Sequence, residues 1–219
     1  MKSLIKNGMI VSDSETYQAD ILIEDEKVKW IGTDLPETDV DTVIDAEGKY
    51  IIPGAIDVHT HMDIDVGIAR AVDDFYDGTV AAACGGTTSI VDHMGFGPAG
   101  VPLHYQFNEY KKLTEGKAVI DYGFHGVAQH VDDDIIAELE TMAEDGIPSV
   151  KAYLTYGFKL NDAEVLQILK KMKEIGGVTA FHCENHELVE YMRKKLVEEG
   201  KTAPIYHAKS RPNLVEAEA

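Results

Sequence analysis

The first fifty or so residues alternate apolar and polar side chains in short runs, which predicts β-strands. The segment "SLIKNGMIVS" places two such runs on either side of Asn7-Gly8, a dipeptide typical of a tight hairpin turn. "ADILIEDEKVKWIG" repeats the pattern around a charged turn, and "TVIDAEGKYIIPG" predicts two more short strands around Gly48. Residues 1–52 are therefore expected to form a small β-sandwich segment.

After Pro53 the pattern changes to a regular alternation of strands and helices. Apolar strands such as "GAIDVHTH" and "TTSIVDHM" are each followed by a segment with helical periodicity, and most of these segments end at a glycine. About five such β/α units follow one another along the chain. Because the strands are almost continuously apolar, they are predicted to form a parallel sheet covered by helices.

The number of units raises the question of how complete the domain is. An eight-unit barrel needs about 250 residues, and the segment 53–219 is shorter than that. The chain also ends on "SRPNLVEAEA", which has the pattern of the beginning of another helix. We therefore expect an α/β fold in which residues 53–219 are the truncated N-terminal portion of a TIM-like (β/α)8 barrel. The alternative is a complete five-stranded doubly wound domain.

Polar residues follow the predicted strands at the end where such barrels place their functional sites. The first strand ends on His59 and His61, which share one side of an extended chain. Taken alone, this pair is as compatible with a structural role as with a metal site, but its position favours metal ligands, since imidazole suits zinc and similar ions. His182 ends the fifth strand and is a third candidate metal ligand. The alternative is that His182 is a hydrogen-bonded histidine of the core. Cys183 should face the other way, as a small buried side chain.

Lys151 is the unusual residue of the fourth strand. It lies among Val150, Ala152 and Leu154, where a buried ammonium would be costly without a partner. One interpretation is that its stem packs while its head extends into solvent. The other is that burial lowers the lysine pKa and leaves a neutral amine able to capture carbon dioxide. The resulting carbamate would be an anionic ligand able to bridge two metal ions.

Composition narrows the possible partners and the cellular location. The chain has 20 basic and 39 acidic residues, for a net charge of −19, which argues against nucleic acid and anionic membranes as partners. Cys84 and Cys183 are the only cysteines, so we do not expect a disulfide framework. This cysteine usage predicts a cytoplasmic protein. "GFGPAG" matches a nucleotide-binding pattern, but Pro98 and Pro102 predict an irregular loop there instead of the required helix.

Four segments together carry a family resemblance: "IIPGAIDVHTHMD", "GGTTSIVDHMGFGP", "SVKAYLTY" and "AFHCEN". They resemble the cyclic amidohydrolases, the hydantoinases and dihydropyrimidinases of the amidohydrolase superfamily, and most nearly the D-phenylhydantoinase branch. The resemblance implies metal-dependent hydrolysis of a hydantoin, a 5-substituted hydantoin or a dihydropyrimidine to an N-carbamoyl amino acid, by a hydroxide that two metal ions activate. An allantoinase- or dihydroorotase-type enzyme is an alternative, although its substrates call for a nearby arginine and only Arg70 is close to the predicted site loops. A catalytically inactive scaffold relative is an alternative of another class.

The resemblance also implies roles for particular residues. His59 and His61 would hold one zinc ion, carboxylated Lys151 would bridge two, and His182 would bind the second. Tyr156 would donate a hydrogen bond to the developing oxyanion. The implied cofactors are thus two divalent metal ions, with zinc expected, and a CO2-derived carbamate on the lysine. Further ligands of the family lie on later strands, so residues 1–219 alone are expected to be inactive.

The substrate side of the site is implied by the same resemblance. Ile64 and Val66, in the loop after the histidine pair, would form an apolar wall around the substituent of the substrate ring. Tyr153 and Leu160 would complete that wall, and Tyr156 would also contact the substrate. The expected partners are a small cyclic amide and further copies of the same chain, commonly as a homotetramer.

Overall fold

The computed structural model describes residues 1–219, which divide into two compact units, Met1–Gly54 and Ala55–Ala219. The first unit contains five strands: β1 (Lys2–Val11), β2 (Thr16–Glu24), β3 (Lys27–Gly32), β4 (Thr42–Asp45) and β5 (Tyr50–Ile51). β2 pairs antiparallel with β1 and β3, while β4 and β5 run parallel to successive parts of β1. All five strands thus belong to one sheet, in the order β3-β2-β1-β4 with β5 also paired to β1. The first unit therefore forms a small separate sheet, and it does not itself supply the second sheet of the predicted sandwich.

The predicted hairpin turn at Asn7-Gly8 is wrong, because β1 runs straight through it. Asn7 has a left-handed backbone (φ 62°), and the pairing with β2 shifts register there, which marks a β-bulge. The buried carboxylate of Asp20 accepts a hydrogen bond from the Asn7 backbone N–H at 2.9 Å. The chain actually reverses between β1 and β2, at residues 12–15. An asparagine in the left-handed region suits a bulge as well as a turn, so the dipeptide alone does not distinguish them.

The second unit contains five parallel strands and seven helices. The strands are β6 (Ala55–Thr60), β7 (Thr87–His93), β8 (Asp121–Val127), β9 (Ser149–Tyr153) and β10 (Val178–His182). The helices are α1 (Phe75–Cys84), α2 (Leu103–Thr114), α3 (Asp133–Glu144), α4 (Asp162–Glu174), α5 (His186–Glu198), α6 (Ile205–Lys209) and α7 (Asn213–Glu218). None of these helices has the length and apolar character needed to cross a membrane.

The order of the strands decides between the two predicted architectures. Each strand pairs in parallel with the next one along the chain, in the order β6-β7-β8-β9-β10. A doubly wound sheet reverses its strand order at a switch point, and this sheet does not. The structure therefore confirms the prediction of about five β/α units of a TIM-like barrel.

Local sequence signals explain where the helices begin. In each of four helices the residue before the first turn is Asp or Asn, and its side chain accepts hydrogen bonds from backbone N–H groups that have no partner within the helix. These N-cap residues are Asp74, Asp132, Asn161 and Asn185. At the start of α4, Glu164 also bonds back to the Asn161 backbone, which completes a capping box.

The core between sheet and helices also fixes the loop that follows β7. The rings of Phe75, Tyr110 and Phe124 pack edge to face, with centroids 6.0–6.4 Å apart. The Tyr110 hydroxyl, buried with its ring, accepts a hydrogen bond from the Gly95 backbone N–H at 2.7 Å. A Cβ at position 95 would lie 2.8 Å from that oxygen, so this approach requires glycine. Helix α2 thereby holds the loop against the sheet.

A buried carboxylate joins the ends of the first two strands of this sheet. Asp92, near the end of β7, is fully buried. Its Oδ2 atom accepts hydrogen bonds from the Thr60 hydroxyl at 2.6 Å and from the Met62 backbone N–H at 2.9 Å. These two donors flank His61 on either side, so the carboxylate fixes the backbone that presents this imidazole. Burial raises the pKa of Asp92 to about 6.

We expect the D92N substitution to change how stability depends on pH. An acid with a higher pKa in the folded chain than in the unfolded one holds its proton more tightly when folded, so its contribution to stability falls as the pH rises from about 4 to about 6. The free energy of unfolding of metal-free D92N, relative to wild type, should therefore increase over that interval and stay constant above it. Urea unfolding at a series of pH values measures this difference.

The exposed Asp121 at the start of β8 provides the matched control. D121N should show no comparable pH-dependent difference from wild type. A D92N difference that does not vary between pH 4 and pH 6 would contradict a raised pKa at Asp92.

Candidate metal centre

The four predicted metal ligands line a single cleft in the second unit. His59 lies on β6 and His61 directly follows that strand, while Lys151 lies on β9 and His182 is the last residue of β10. Residues in register on parallel strands reach the same edge of the sheet, and the pairing of His182 with Tyr153 shows this alignment at the cleft. The fold therefore brings together residues that are more than a hundred positions apart in the sequence.

Two further histidines complete a contiguous group of imidazole rings. The ring of His93 lies 4.4 Å from that of His59 and 5.2 Å from that of His61, measured between centroids. The His125 ring stacks on His93 at 4.3 Å. His125 also bridges strands, because its Nε2 lies 2.9 Å from the Val58 carbonyl oxygen and its Nδ1 lies 2.6 Å from the Ser149 hydroxyl. His93 is the last residue of β7 and His125 lies near the end of β8, and this position is the signal by which they could have been assigned to the site.

Burial favours the neutral form of three of these imidazoles. Burial, together with smaller contributions from the neighbouring histidines and Lys151, lowers the pKa of His93 to about 3. Burial is also the main cause of the lowered pKa values of His61 and His125. The Nδ1 atoms of His61 and His93 are buried without a hydrogen-bond partner. Neutral imidazole is the form that binds a metal, so the donor set fits a bound cation.

Lys151 is buried as the sequence suggests, with only 6% of the residue exposed. Its side chain therefore does not extend into solvent, as the alternative interpretation requires. Burial lowers the pKa of its amine. The His, Cys, Asp and Glu side chains alone do not form a group of three or more arranged to hold a metal ion. Lys151 lines the same cleft as His59, His61 and His182.

His182 contacts two polar groups through one ring nitrogen. Its Nε2 lies 2.6 Å from Oε2 of Glu184 and 3.4 Å from the hydroxyl of Tyr156. The Glu184 carboxylate also pairs with Arg211, whose Nε lies 3.1 Å from Oε1. Neither Glu184 nor Arg211 was singled out from the sequence. The histidine is thus hydrogen-bonded, and it also faces the cleft.

Tyr156 occupies an unusual backbone conformation beside this histidine. Its φ of 73° lies in the left-handed region, which bulky side chains rarely adopt and which costs on the order of 1–3 kcal/mol. Two backbone hydrogen bonds hold the loop, from Leu160 N–H to the Tyr153 carbonyl at 2.9 Å and from Lys159 N–H to the Tyr156 carbonyl at 3.4 Å. The loop thereby directs the Tyr156 ring into the cleft.

The apolar wall of the cleft differs in part from the predicted one. Ile64, Val66 and Tyr153 line the cleft, whereas Leu160 does not. Leu160 is only 5% exposed and packs in the hydrophobic core, because its backbone hydrogen bond to Tyr153 turns the chain back toward the sheet. The prediction that Leu160 contacts the substrate is therefore corrected, because the residue lies in the hydrophobic core. The lining residues that the sequence did not reveal are Ile68, Phe96 and Phe158.

The loop after His61 is a short hairpin with a fixed base. Backbone hydrogen bonds join Asp63 to Asp73, Ile64 to Ala71 and Val66 to Ala69 across it. The buried Asp63 carboxylate forms ion pairs with Arg70 and, at 3.9 Å, with Lys117. Arg70 is thus engaged at the base of the hairpin and does not line the cleft.

Cys183 is exposed, which corrects the expectation of a buried side chain. It directly follows β10, the outermost strand of the parallel sheet. A side chain on the far side of such a strand has a neighbouring strand on one flank only. Alternation along a strand predicts the side to which a residue points, but not whether another element covers it.

Comparison with known proteins shows which family the chain resembles. The model of the amidohydrolase family matches residues 50–217. D-phenylhydantoinase of Escherichia coli is 51% identical over the whole chain, and the matched part is 48% of that protein. The chain therefore spans about half the length of the curated relatives it matches.

Solved structures show the same similarity in three dimensions. A D-hydantoinase is 42% identical with a TM-score of 0.96, and the match covers 100% of this chain and 48% of that one. Dihydropyrimidinase from Brevibacillus agri is 44% identical with a TM-score of 0.96 and the same coverage. L-hydantoinase from Arthrobacter aurescens is 26% identical with a TM-score of 0.84, over 99% of this chain and 48% of that one. The chain belongs to the amidohydrolase family, as its motifs predict.

Proposed function

We propose that the complete gene product hydrolyses a cyclic amide, namely a hydantoin, a 5-substituted hydantoin or a dihydropyrimidine, to an N-carbamoyl amino acid. The observation that carries the proposal is the meeting of His59, His61, Lys151 and His182 in one cleft with an apolar wall. The similar proteins named D-phenylhydantoinase and dihydropyrimidinase support it. The proposal concerns the whole protein, since this chain spans about half of those relatives.

The proposed centre takes two divalent metal ions, with zinc as the expected metal. His59 and His61 are proposed to hold one ion and His182 the other, with the carbamate of Lys151 shared between them. The lowered pKa of His61 and its buried Nδ1 atom without a hydrogen-bond partner support this assignment, because imidazole nitrogen is a preferred zinc ligand. When bound, the ions would make a water molecule nucleophilic near neutral pH and polarise the amide carbonyl.

The burial of the Lys151 amine supports the proposed carbamate. A neutral amine has a lone pair that can attack the carbon of carbon dioxide, forming a nitrogen–carbon bond and releasing one proton to solvent. The product is an anion with two oxygen atoms. Because burial lowers the pKa of Lys151, a larger share of its side chains is in the reactive neutral form.

Tyr156 and the apolar wall are proposed to act on the substrate. The Tyr156 hydroxyl would donate a hydrogen bond to the carbonyl oxygen as that oxygen gains negative charge. The strained loop supports this role, since it holds the phenol in the cleft before the substrate arrives. Ile64, Val66 and Tyr153 would contact the ring substituent and exclude water from the reacting bond.

The alternative activities receive less support from the cleft. Allantoinase- or dihydroorotase-type substrates carry ureido or carboxylate groups, for which an arginine is the expected partner. Arg70 is instead paired with Asp63, and the wall around the cleft is mainly apolar. An inactive scaffold relative would be expected to lose its ligand residues, whereas all four are present in this chain. We also propose that the complete protein forms a homo-oligomer, as its family resemblance implies.

The H61A variant of the complete gene product tests the metal centre. Loss of a direct ligand should remove one metal ion per chain and lower hydantoin hydrolysis by more than about 100-fold, since even outer contacts of a metal ligand are worth about 10–100-fold. Elemental analysis gives the metal content, and ultraviolet absorbance follows ring opening.

The matched control for this experiment is H104A. His104 lies on α2, where its Nδ1 is 2.8 Å from a carboxylate oxygen of Glu138, and it does not line the cleft. This variant should keep its metal and its activity. Wild-type protein without bound metal, or H61A with undiminished hydrolysis, would refute the proposed function.

The Y156F variant tests the proposed oxyanion donor. Removing one such donor lowers kcat by about 10²–10³-fold, while KM and metal content should change little because the ring remains in place. Steady-state kinetics with hydantoin separate the two parameters. Y105F, on the exposed face of α2, is the control and should retain normal kinetics. A kcat for Y156F close to that of wild type would contradict the proposed role of the Tyr156 hydroxyl as oxyanion donor.

A further inference from the structure

The glycine-rich motif "GFGPAG", residues 95–100, forms the loop after β7 and supplies one aromatic ring to the cleft. This ring is Phe96, which is half-buried and lines the cleft. It stacks on the ring of Phe158, with centroids 3.4 Å apart, and lies edge to face with Tyr153 at 5.2 Å. These three rings form a contiguous aromatic surface within the cleft.

Gly95 connects this loop to helix α2 and to the other side chains of the cleft. Its backbone N–H donates a hydrogen bond to the buried Tyr110 hydroxyl at 2.7 Å. A Cβ atom at this position would lie 2.8 Å from that hydroxyl oxygen and 3.3 Å from Cγ1 of Ile64, which also lines the cleft. A displacement of Gly95 would therefore move the adjacent Phe96 and change the packing against Ile64.

A second close approach brings the loop onto the same helix. A Cβ atom at Gly97 would lie 2.4 Å from the side-chain nitrogen of Gln106, which is only 4% exposed. Gln106 and Tyr110 are four residues apart on α2, so they share one face of that helix. The two glycines on either side of Phe96 thus allow the loop to lie against this face.

Tyr110 itself belongs to a packed part of the molecule. It is 5% exposed, and its ring packs edge to face against Phe75 at 6.1 Å and Phe124 at 6.0 Å. The start of α2 is tied to α3, because the Leu103 backbone N–H donates to Oε2 of Glu138 at 2.7 Å. The hydroxyl that holds the loop is therefore fixed, whereas the loop itself is neither helix nor strand.

We propose that Tyr110 is a positioning residue for substrate selection, because its hydroxyl holds Gly95 and thereby keeps Phe96 in the aromatic surface. The inference rests on the proposed function, in which the cleft wall contacts the substituent of the substrate ring. Tyr110 does not line the cleft, so it acts only through the loop. Aromatic rings pack well against one another. Tyr110 should therefore matter for 5-phenylhydantoin much more than for hydantoin, which has no substituent.

The Y110F variant of the complete gene product tests this role. It keeps the ring but leaves the Gly95 N–H buried without an acceptor, so the loop should shift. With 5-phenylhydantoin we expect KM to rise about 3–10-fold, as follows from the net worth of one hydrogen bond. KM for hydantoin should rise much less, and kcat and metal content should change little. Steady-state kinetics with the two substrates measure the ratio of their KM values.

A double-mutant cycle tests whether Tyr110 acts through Phe96. F96A removes the ring from the aromatic surface and should raise KM for 5-phenylhydantoin at least as much as Y110F does. If the tyrosine acts through that ring, adding Y110F to F96A should have no further effect on KM. Additive effects of the two substitutions would contradict the proposed route.

T79V is the matched control for the loss of a buried hydroxyl. Thr79 lies on α1 and is fully buried, and its hydroxyl accepts a hydrogen bond from the Val119 backbone N–H at 3.1 Å. The substitution therefore also leaves a backbone N–H without its acceptor, but at a segment that does not line the cleft. It should lower stability and leave the ratio of KM values unchanged. An equal change of that ratio in T79V and Y110F would refute the positioning role.

A spectroscopic measurement makes the test independent of activity. In protein labelled with 4-fluorophenylalanine, the fluorine signal of Phe96, assigned through its loss in F96L, reports the stacking on Phe158. Y110F should shift or broaden this signal, whereas T79V should not. If Y110F does not fold, as judged by circular dichroism, G95A provides the same measurements, because its Cβ would meet the Tyr110 hydroxyl and displace the loop.

The outcomes separate this inference from the proposed function. Wild-type protein that hydrolyses neither hydantoin nor 5-phenylhydantoin would refute the proposed function, and the fluorine signal would still decide whether Tyr110 positions Phe96. In an active protein, a folded Y110F with an unchanged KM for 5-phenylhydantoin would overturn the positioning role. An unchanged Phe96 signal in Y110F would overturn it as well.

Discussion

The site depends on the hydrogen-bonded register of five parallel strands. That register places His93 opposite His125, Val127 opposite Lys151 and Tyr153 opposite His182, so each strand delivers its polar residue to the same edge. Parallel pairing also leaves both faces of the sheet to be covered, and the helices with their capping residues cover one of them. If one strand were shifted by one residue relative to its neighbour, each of its side chains would point to the opposite face of the sheet. The polar residues of the strands would then no longer meet in the cleft.

The side chains that meet at this edge are mainly basic, and their burial reduces the repulsion between them. Four imidazoles and a lysine lie close together, and their positive forms would repel one another. Desolvation lowers the pKa values of His61, His93, His125 and Lys151, so the group can pack as neutral bases. The carboxylates lie behind the predicted ligands: Asp92 holds the backbone around His61, and Glu184 contacts the His182 ring. These two carboxylates thus contact the site residues without lining the cleft themselves.

The sequence predicted the second unit well because its signals are local. Strand and helix periodicity, N-caps and terminal glycines each act within a few residues, and the strand order follows from their alternation. The residues whose predictions were wrong have positions that depend on contacts with residues elsewhere in the sequence. The Asn7 backbone suits a bulge or a turn equally, Leu160 is turned inward by a hydrogen bond to Tyr153, and Cys183 lies just beyond the end of β10, where it is exposed.

The residues in and around the cleft that sequence analysis did not identify share one of two properties. Phe96 and Phe158 lie in irregular loops, where no periodicity shows which way a side chain points. Glu184 and Arg211 are 27 residues apart, and only the fold brings them together. The left-handed backbone of Tyr156 has a consequence for engineering the protein. Glycine would relax that backbone, so a selection for thermal stability alone would favour replacing the tyrosine and would discard the phenol that the loop is strained to present.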